Sequence, residues 1–182
     1  MLGIDKEGLL STDEKLEVLI ARNAWQKELI WNRFSMDQLG MSISQPDKVR
    51  RSSQTISVGN TGNWSTKNYL PMGCLKNKET DSILFWQIEQ NGSWYWEISD
   101  QDGHMYLQLS GPTEHQSHWW KNLKPGDTFA SVPVSVGSAC GDVEEAAGEL
   151  TKYRRAIRRK NEDNEKLPVI FNDYMNLSLI HI

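Results

Sequence analysis

The sequence predicts an all-β chain folded as an antiparallel sandwich rather than a sheet covered by helices, and three observations carry that prediction. Between Ser82 and Asp100, large apolar residues alternate with their neighbours on either side of an Asn-Gly turn signal. Further alternating runs recur along the chain with Gly, Pro, Asn and Asp between them, the spacing of a two-sheet core. Helical periodicity is convincing in one place only, after Asp142.

Leu9 to Met41 is the ambiguous opening. Ser11 and Glu14 suggest a capping box and Leu16, Leu19 and Ile20 a helical stripe, while Val18, Ile20, Trp25, Ile30 and Trp31 suit strands. Ser42 to Lys67 reads as loop with one short strand, Thr55 to Val58. Asn68 to Leu75 is expected as an edge strand, because Pro71 cannot donate to a ladder. In Ser82–Asp100 a hairpin with the loop Gln90-Asn91-Gly92 sets Ile88 opposite Trp94, Trp86 opposite Trp96 and Leu84 opposite Ile98, with Gly92 left-handed. A two-residue loop would split the six between faces.

His104 to Ser110 is a further strand, and the turn Lys124-Pro125-Gly126-Asp127 leads into another, Thr128 to Val136. The helix takes Asp142 as N-cap and Glu145 at its third position, with Val143, Ala147, Leu150 and Ile157 as its apolar stripe. Acidic residues open it and Arg154, Arg155, Arg158, Arg159 and Lys160 close it; the helix dipole accounts for that order better than phosphate binding does. Asn161 to Lys166 is a polar link, and Pro168 to Tyr174 a short apolar strand.

The 182 residues carry a net charge of −4, which argues against nucleic acid or an anionic membrane as a partner. No run suits a bilayer span or signal peptide, so the expectation is a soluble, cytoplasmic chain in which the sequons at Asn63 and Asn91 carry no meaning. Cys74 and Cys140 have no metal or redox spacing and read as small apolar side chains. His115 and His118 lack a third ligand, so no metal or other cofactor is expected. Trp119 and Trp120 suit core or inter-domain packing, since one of two adjacent strand residues faces inward. Trp64, in a Gly/Asn loop, has less structural reason for its place and is the aromatic kept as a sugar-stacking candidate.

Several ordered runs are familiar together: A-R-N-A-W-Q-K-E from Ala21, N-Y-L-P-M-G from Asn68, F-W-Q-I-E-Q-N-G-S-W-Y-W-E-I-S-D from Phe85, L-Q-L-S-G-P-T-E from Leu107, H-W-W-K-N-L-K-P-G-D-T-F from His118 and L-P-V-I-F-N-D-Y-M-N from Leu167. They resemble the α-galactosidases (melibiases) of glycoside hydrolase family 36 over residues 16–176. The resemblance implies an N-terminal, galactose-mutarotase-like β-supersandwich over residues 1–140, short of its own beginning, and a linker helix over 141–166. It also implies the first strand of a truncated (β/α)8 barrel over 167–176, and it tips Leu9–Met41 toward strands. Residues 177–182 do not continue the family pattern; they resemble the translation of a sequencing-library adapter and read as a non-native tail.

The implied chemistry is retaining hydrolysis of terminal α-galactosides such as melibiose or raffinose, with two carboxylates about 5 to 5.5 Å apart. In the family both are aspartates on later barrel strands, so no catalytic residue is expected in this chain and the fragment alone should be inactive. The resemblance puts Tyr174 against the galactose, at the end of a barrel strand where such sites lie, with Asn172 and Asp173 beside it. Capping of the strand end accounts for Asn172 and Asp173 equally well. The partner implied is an α-galactoside oligosaccharide, the parent enzyme being compatible with a homo-oligomer. The alternative is a non-catalytic carbohydrate-binding sandwich.

Overall fold

A strand with large apolar side chains at every second residue has one face to bury, and two such sheets can bury their faces against each other. That is the architecture of the computed structural model of the chain, which describes residues 2–3, 15–41, 54–101 and 104–169. The chain divides into two compact units, Met1–Leu150 and Thr151–Ile182.

In the first unit, β1 (Leu2–Gly3), β2 (Leu16–Ala24) and β3 (Lys27–Ser35) are followed by β4 (Thr55–Asn60), β5 (Tyr69–Asn77), β6 (Ser82–Ile88), β7 (Trp94–Gln101) and β8 (His104–Ser110). A single-turn helix α1 (Glu114–Ser117), strand β9 (Val134–Cys140) and the first half of the long helix α2 (Val143–Ile157), which runs on past Leu150, complete the order. One sheet runs β1-β8-β7-β4 and the other β3-β2-β5-β6-β9, with every pairing antiparallel. Between them lie Val18, Leu75, Trp86 and Ile88 of one sheet and Val58, Trp94, Trp96, Ile98 and Leu107 of the other. Trp86 meets Trp96 edge to face, with ring centroids 5.2 Å apart.

The opening segment is the β2–β3 hairpin, not a helix. The Ser82–Asp100 hairpin is corrected: its two strands belong to different sheets, Trp86 pairing with Gly73 and Val136 while Trp96 pairs with Val58 and Leu109. The six alternating residues do gather in one core, but across the sandwich instead of side by side. Alternation says which face is buried and leaves the neighbouring strand open. Residue 89 stays tied to β9 through Glu89 N–H donating to Pro133 O at 2.9 Å, after which the chain turns to the other sheet. Gly92 is not left-handed.

Three further expectations change. β5 is central, lying between β2 and β6; Pro71 is tolerated because the β2 register jumps between Ile20↔Gly73 and Arg22↔Tyr69 and the β6 register starts only at Met72. The strand expected at Thr128–Val136 is Val134–Cys140, and the one expected at Pro168–Tyr174 falls largely outside the described residues. In the stretch before β9, Val132 packs against the main core while Thr128 to Ser131 are exposed, and Pro133 has no N–H to give a ladder. Trp119 and Trp120 lie off any strand and are exposed, Trp119 resting at 5.7 Å on the Phe129 ring, so neither enters the core. The turn at Lys124 is as expected: Asp127 N–H donates to Lys124 O at 2.9 Å, with Gly126 at φ 91°.

The other face of the five-stranded sheet carries Leu19, Cys74, Ile83 and Phe85, onto which Val143, Ala146 and Leu150 of α2 pack. Ala146 is the buried alanine, whereas the expected Ala147 is exposed. Glu145 accepts from Asp142 N–H at 2.8 Å and Asp142 Oδ1 from Val143 N–H at 2.7 Å, the capping the sequence called for. Arg33 bridges Glu17 at 2.9 Å and Asp142 at 2.7 Å, while the buried Lys76 pairs with Asp81 at 2.5 Å and donates to Gly141 O. The helix start is thereby anchored by charge as well as by apolar contact. Cys74 and Cys140 are both free thiols, Cys74 buried and Cys140 exposed.

In the second unit, Asn161 caps a further short helix, α3 (Glu162–Lys166), where the sequence suggested only a polar link. No helix among the described residues is long and apolar enough to cross a membrane.

Candidate functional site

Where the chain passes from β4 in one sheet to β5 in the other, it runs through Thr61-Gly62-Asn63-Trp64-Ser65-Thr66-Lys67-Asn68. A loop this polar is kept in one shape only if its backbone groups find partners. They do: Trp94 Nε1 donates to Ser65 O and Asn23 Nδ2 to Thr66 O, each at 2.6 Å, and Asn23 N–H donates to Asn68 O at 2.9 Å. Asn60 Nδ2 donates to Gly62 O at 2.9 Å, and Lys67 N–H to Trp64 O at 3.3 Å.

Against this loop opens a cleft of about 460 Å³. Trp64, 60% exposed, stands in its wall with Asn60, Thr61 and Asn63, and Lys67 and Asn68 close the loop side. The sheet contributes Ser57 and Gly59, and Gln116 of α1 closes the remaining side. Thr113 holds α1 in place, its side chain accepting from Gln116 N–H at 3.2 Å. The wall thus offers an indole face, amide and hydroxyl groups of both hydrogen-bonding senses, and one cation, Lys67. Among the described residues lining it there is no carboxylate. Such a surface matches a polyhydroxylated ligand: the indole takes the C–H face of a sugar while amides and hydroxyls satisfy its hydroxyl groups.

Of the expected site residues, Trp64 lies in this cleft. Asn172, Asp173 and Tyr174 lie outside the described residues. His115 is within α1 and His118 ends it in a left-handed conformation at φ 49°; no group of three His, Cys, Asp or Glu suited to a metal occurs among the described residues.

No family model, curated protein or solved structure significantly matches this chain.

Ser57, Gly59 and Gln116 were not singled out by sequence reasoning. Gln116 follows Thr113 at cap-to-third-position spacing, which could have marked α1, but nothing local links it to a loop about fifty residues earlier.

Proposed function

We propose that this chain is the sandwich portion of a cytoplasmic, retaining α-galactosidase of the family 36 kind, acting on terminal α-galactosides such as those of melibiose or raffinose. The Trp64 cleft holds part of the oligosaccharide. The observation that carries the reading is an exposed indole on a hydrogen-bonded loop, ringed by amides and hydroxyls. The order of elements, a two-sheet antiparallel sandwich followed by a capped helix, agrees with the supersandwich and linker helix that the sequence runs suggest. On this reading the catalytic aspartates lie outside the chain, and Tyr174, with Asn172 and Asp173, ends the first barrel strand against the galactose.

The test compares the chain with a version extended through its flanking reading frame. The chain alone is expected to bind melibiose weakly and to hydrolyse no α-galactoside, since on this reading the nucleophile and the acid/base belong to the barrel. The extended protein is expected to hydrolyse with retention, and Tyr174→Ala in it to impair turnover. Turnover by the chain alone would overturn the assignment, and full activity of the Tyr174→Ala enzyme would remove that residue from the site.

One observation favours a second reading, a non-catalytic carbohydrate-binding module: the described cleft wall carries no carboxylate. A stop codon soon after Asn176 in the parent gene favours this module; a run of strands and helices bearing two aspartates favours the enzyme.

A further inference from the structure

The alternation that buries Trp94, Trp96 and Ile98 turns Tyr95 and Glu97 of β7 to the opposite face of the four-stranded sheet, where Tyr106 of β8 joins them. Glu97 accepts hydrogen bonds from both phenols, Tyr95 Oη at Oε2 and Tyr106 Oη at Oε1, the latter at 2.8 Å. Residues two apart along a strand are separated by about 6.7 Å, close to the reach of a tyrosine side chain. To meet Glu97, the Tyr95 ring therefore lies along its strand instead of standing up from the sheet. Burial, followed by the bond to Glu97, pushes the Tyr95 hydroxyl up to about 12, so it remains a donor that orients the carboxylate at any working pH.

This cluster adjoins the cleft. Gly59 pairs with Tyr95 and Ser57 with Glu97, and both glycine and serine line the cleft. A Cβ on Gly59 would come within 2.9 Å of Trp94 O, 3.0 Å of Gln116 Oε1 and 3.4 Å of Tyr95 Cδ2. The missing side chain lets Gln116 and the Tyr95 ring come close to β4 at the edge of the cleft, which puts that ring beside the lining residue Gly59.

We infer that the saccharide site extends over this face: the sugar unit after the one held at Trp64 stacks on Tyr95 and donates hydroxyls to the Glu97 carboxylate, so that the site selects oligosaccharides over monosaccharides. The inference rests on the saccharide reading of the Trp64 cleft and adds length selection to it. A carboxylate already fixed by two phenols loses little freedom on binding, which favours recognition there.

Calorimetric titration of the chain with galactose, melibiose and raffinose tests it. Affinity should rise by about two- to tenfold for the added stacked unit. Tyr95→Ala should lower raffinose affinity more than galactose affinity, Tyr95→Phe should keep most of the rise, and Trp64→Ala should weaken all three sugars. Should Tyr95→Ala fail to fold, saturation-transfer NMR on the unaltered chain with raffinose should show transfer to protons of two adjacent sugar units. Equal affinity for the three sugars, with Trp64→Ala still weakening each, or transfer confined to one sugar unit, would overturn the extension and leave the cleft reading standing. No binding of any sugar, or binding indifferent to Trp64→Ala, would overturn both.

Discussion

Gly73 sits at the centre of the five-stranded sheet, paired with Ile20 on one side and Trp86 on the other. A Cβ built there would lie 2.5 Å from Trp86 Cζ2 and 2.8 Å from Cε2, distances that side chains do not adopt. Trp86 has nowhere to retreat: it is 1% exposed and its ring is wedged against Trp96 of the facing sheet. Gly73→Ala should therefore overpack the core at a cost of about 1 to 3 kcal/mol, from which the usual strand advantage of alanine over glycine, about 0.5 to 1 kcal/mol, is to be subtracted. The net loss is about 0.5 to 2 kcal/mol. With a urea slope of about 2 kcal/mol/M, the unfolding midpoint followed by tryptophan fluorescence should fall by about 0.25 to 1 M. Because the loss comes from one contact, Gly73→Ala and Trp86→Phe together should cost less than the sum of the two alone. An unchanged midpoint in Gly73→Ala, or strict additivity in the pair, would refute the claim that Gly73 is there to admit the Trp86 ring.

Burial pulls Glu17 upward, but the bonds from Arg33 and Lys78 outweigh it and leave the carboxyl below its ordinary 4.5; at Asp142 burial is likewise outweighed, by Arg33 and the Val143 N–H, leaving it below 3.8. Carboxyls depressed by folding add stability above their unfolded values and lose it as pH falls through the folded ones, so Arg33→Ala should destabilise at pH 7 and the gap to the unaltered chain should close below about pH 4. With Arg33 at 38% and Asp142 at 47% side-chain exposure, the neutral-pH gap should be about 0.2 to 1 kcal/mol per pair and should shrink in high salt, as denaturation at each condition will report. Burial pushes the Cys74 thiol up to about 12, whereas Cys140 is exposed; a thiol reagent at pH 8 should titrate one cysteine in the native chain and two in denaturant. Leu167 is 75% exposed and Val169 fully so, two apolar side chains offered to solvent, and removal of residues after Asn161 should raise solubility in a centrifugation assay; equal solubility with and without the tail would count against the barrel reading.

Period-two patterning revealed the strands from Thr55, from Ser82 and from His104, as well as the inward set Leu84, Trp86, Ile88, Trp94, Trp96 and Ile98, because alternation is a property of each strand alone. Pairing is a property of two strands, and an Asn-Gly signal between Ile88 and Trp94 was compatible both with a hairpin and with a passage between sheets; the tie of Glu89 to Pro133, forty-four residues on, decides for the passage and is invisible locally. Pro71 marked a missing donor correctly but not its remedy, a register jump within a central strand. The capping at Asp142 was legible because its partners lie within three residues. Within the cleft, Trp64 stood out as a large aromatic in a turn-rich loop, whereas Ser57, Gly59 and Gln116 acquire a role only once β4 and α1 are brought together.

The passage from β6 to β7 also bears on how the chain acquires its fold. Trp86 and Trp96, ten residues apart, bring the two sheets into contact, while β6 reaches its partner β9 only through pairs such as Ser82↔Cys140. Closing a short loop costs less chain entropy than closing a long one, and contacts near in sequence form sooner. The interior of the sandwich can thus begin to condense around an indole pair before either sheet has its full set of strands. Core substitutions at Trp86 and Trp96 should then slow folding, whereas changes in β9, which joins β6 through distant pairs, should mainly hasten unfolding.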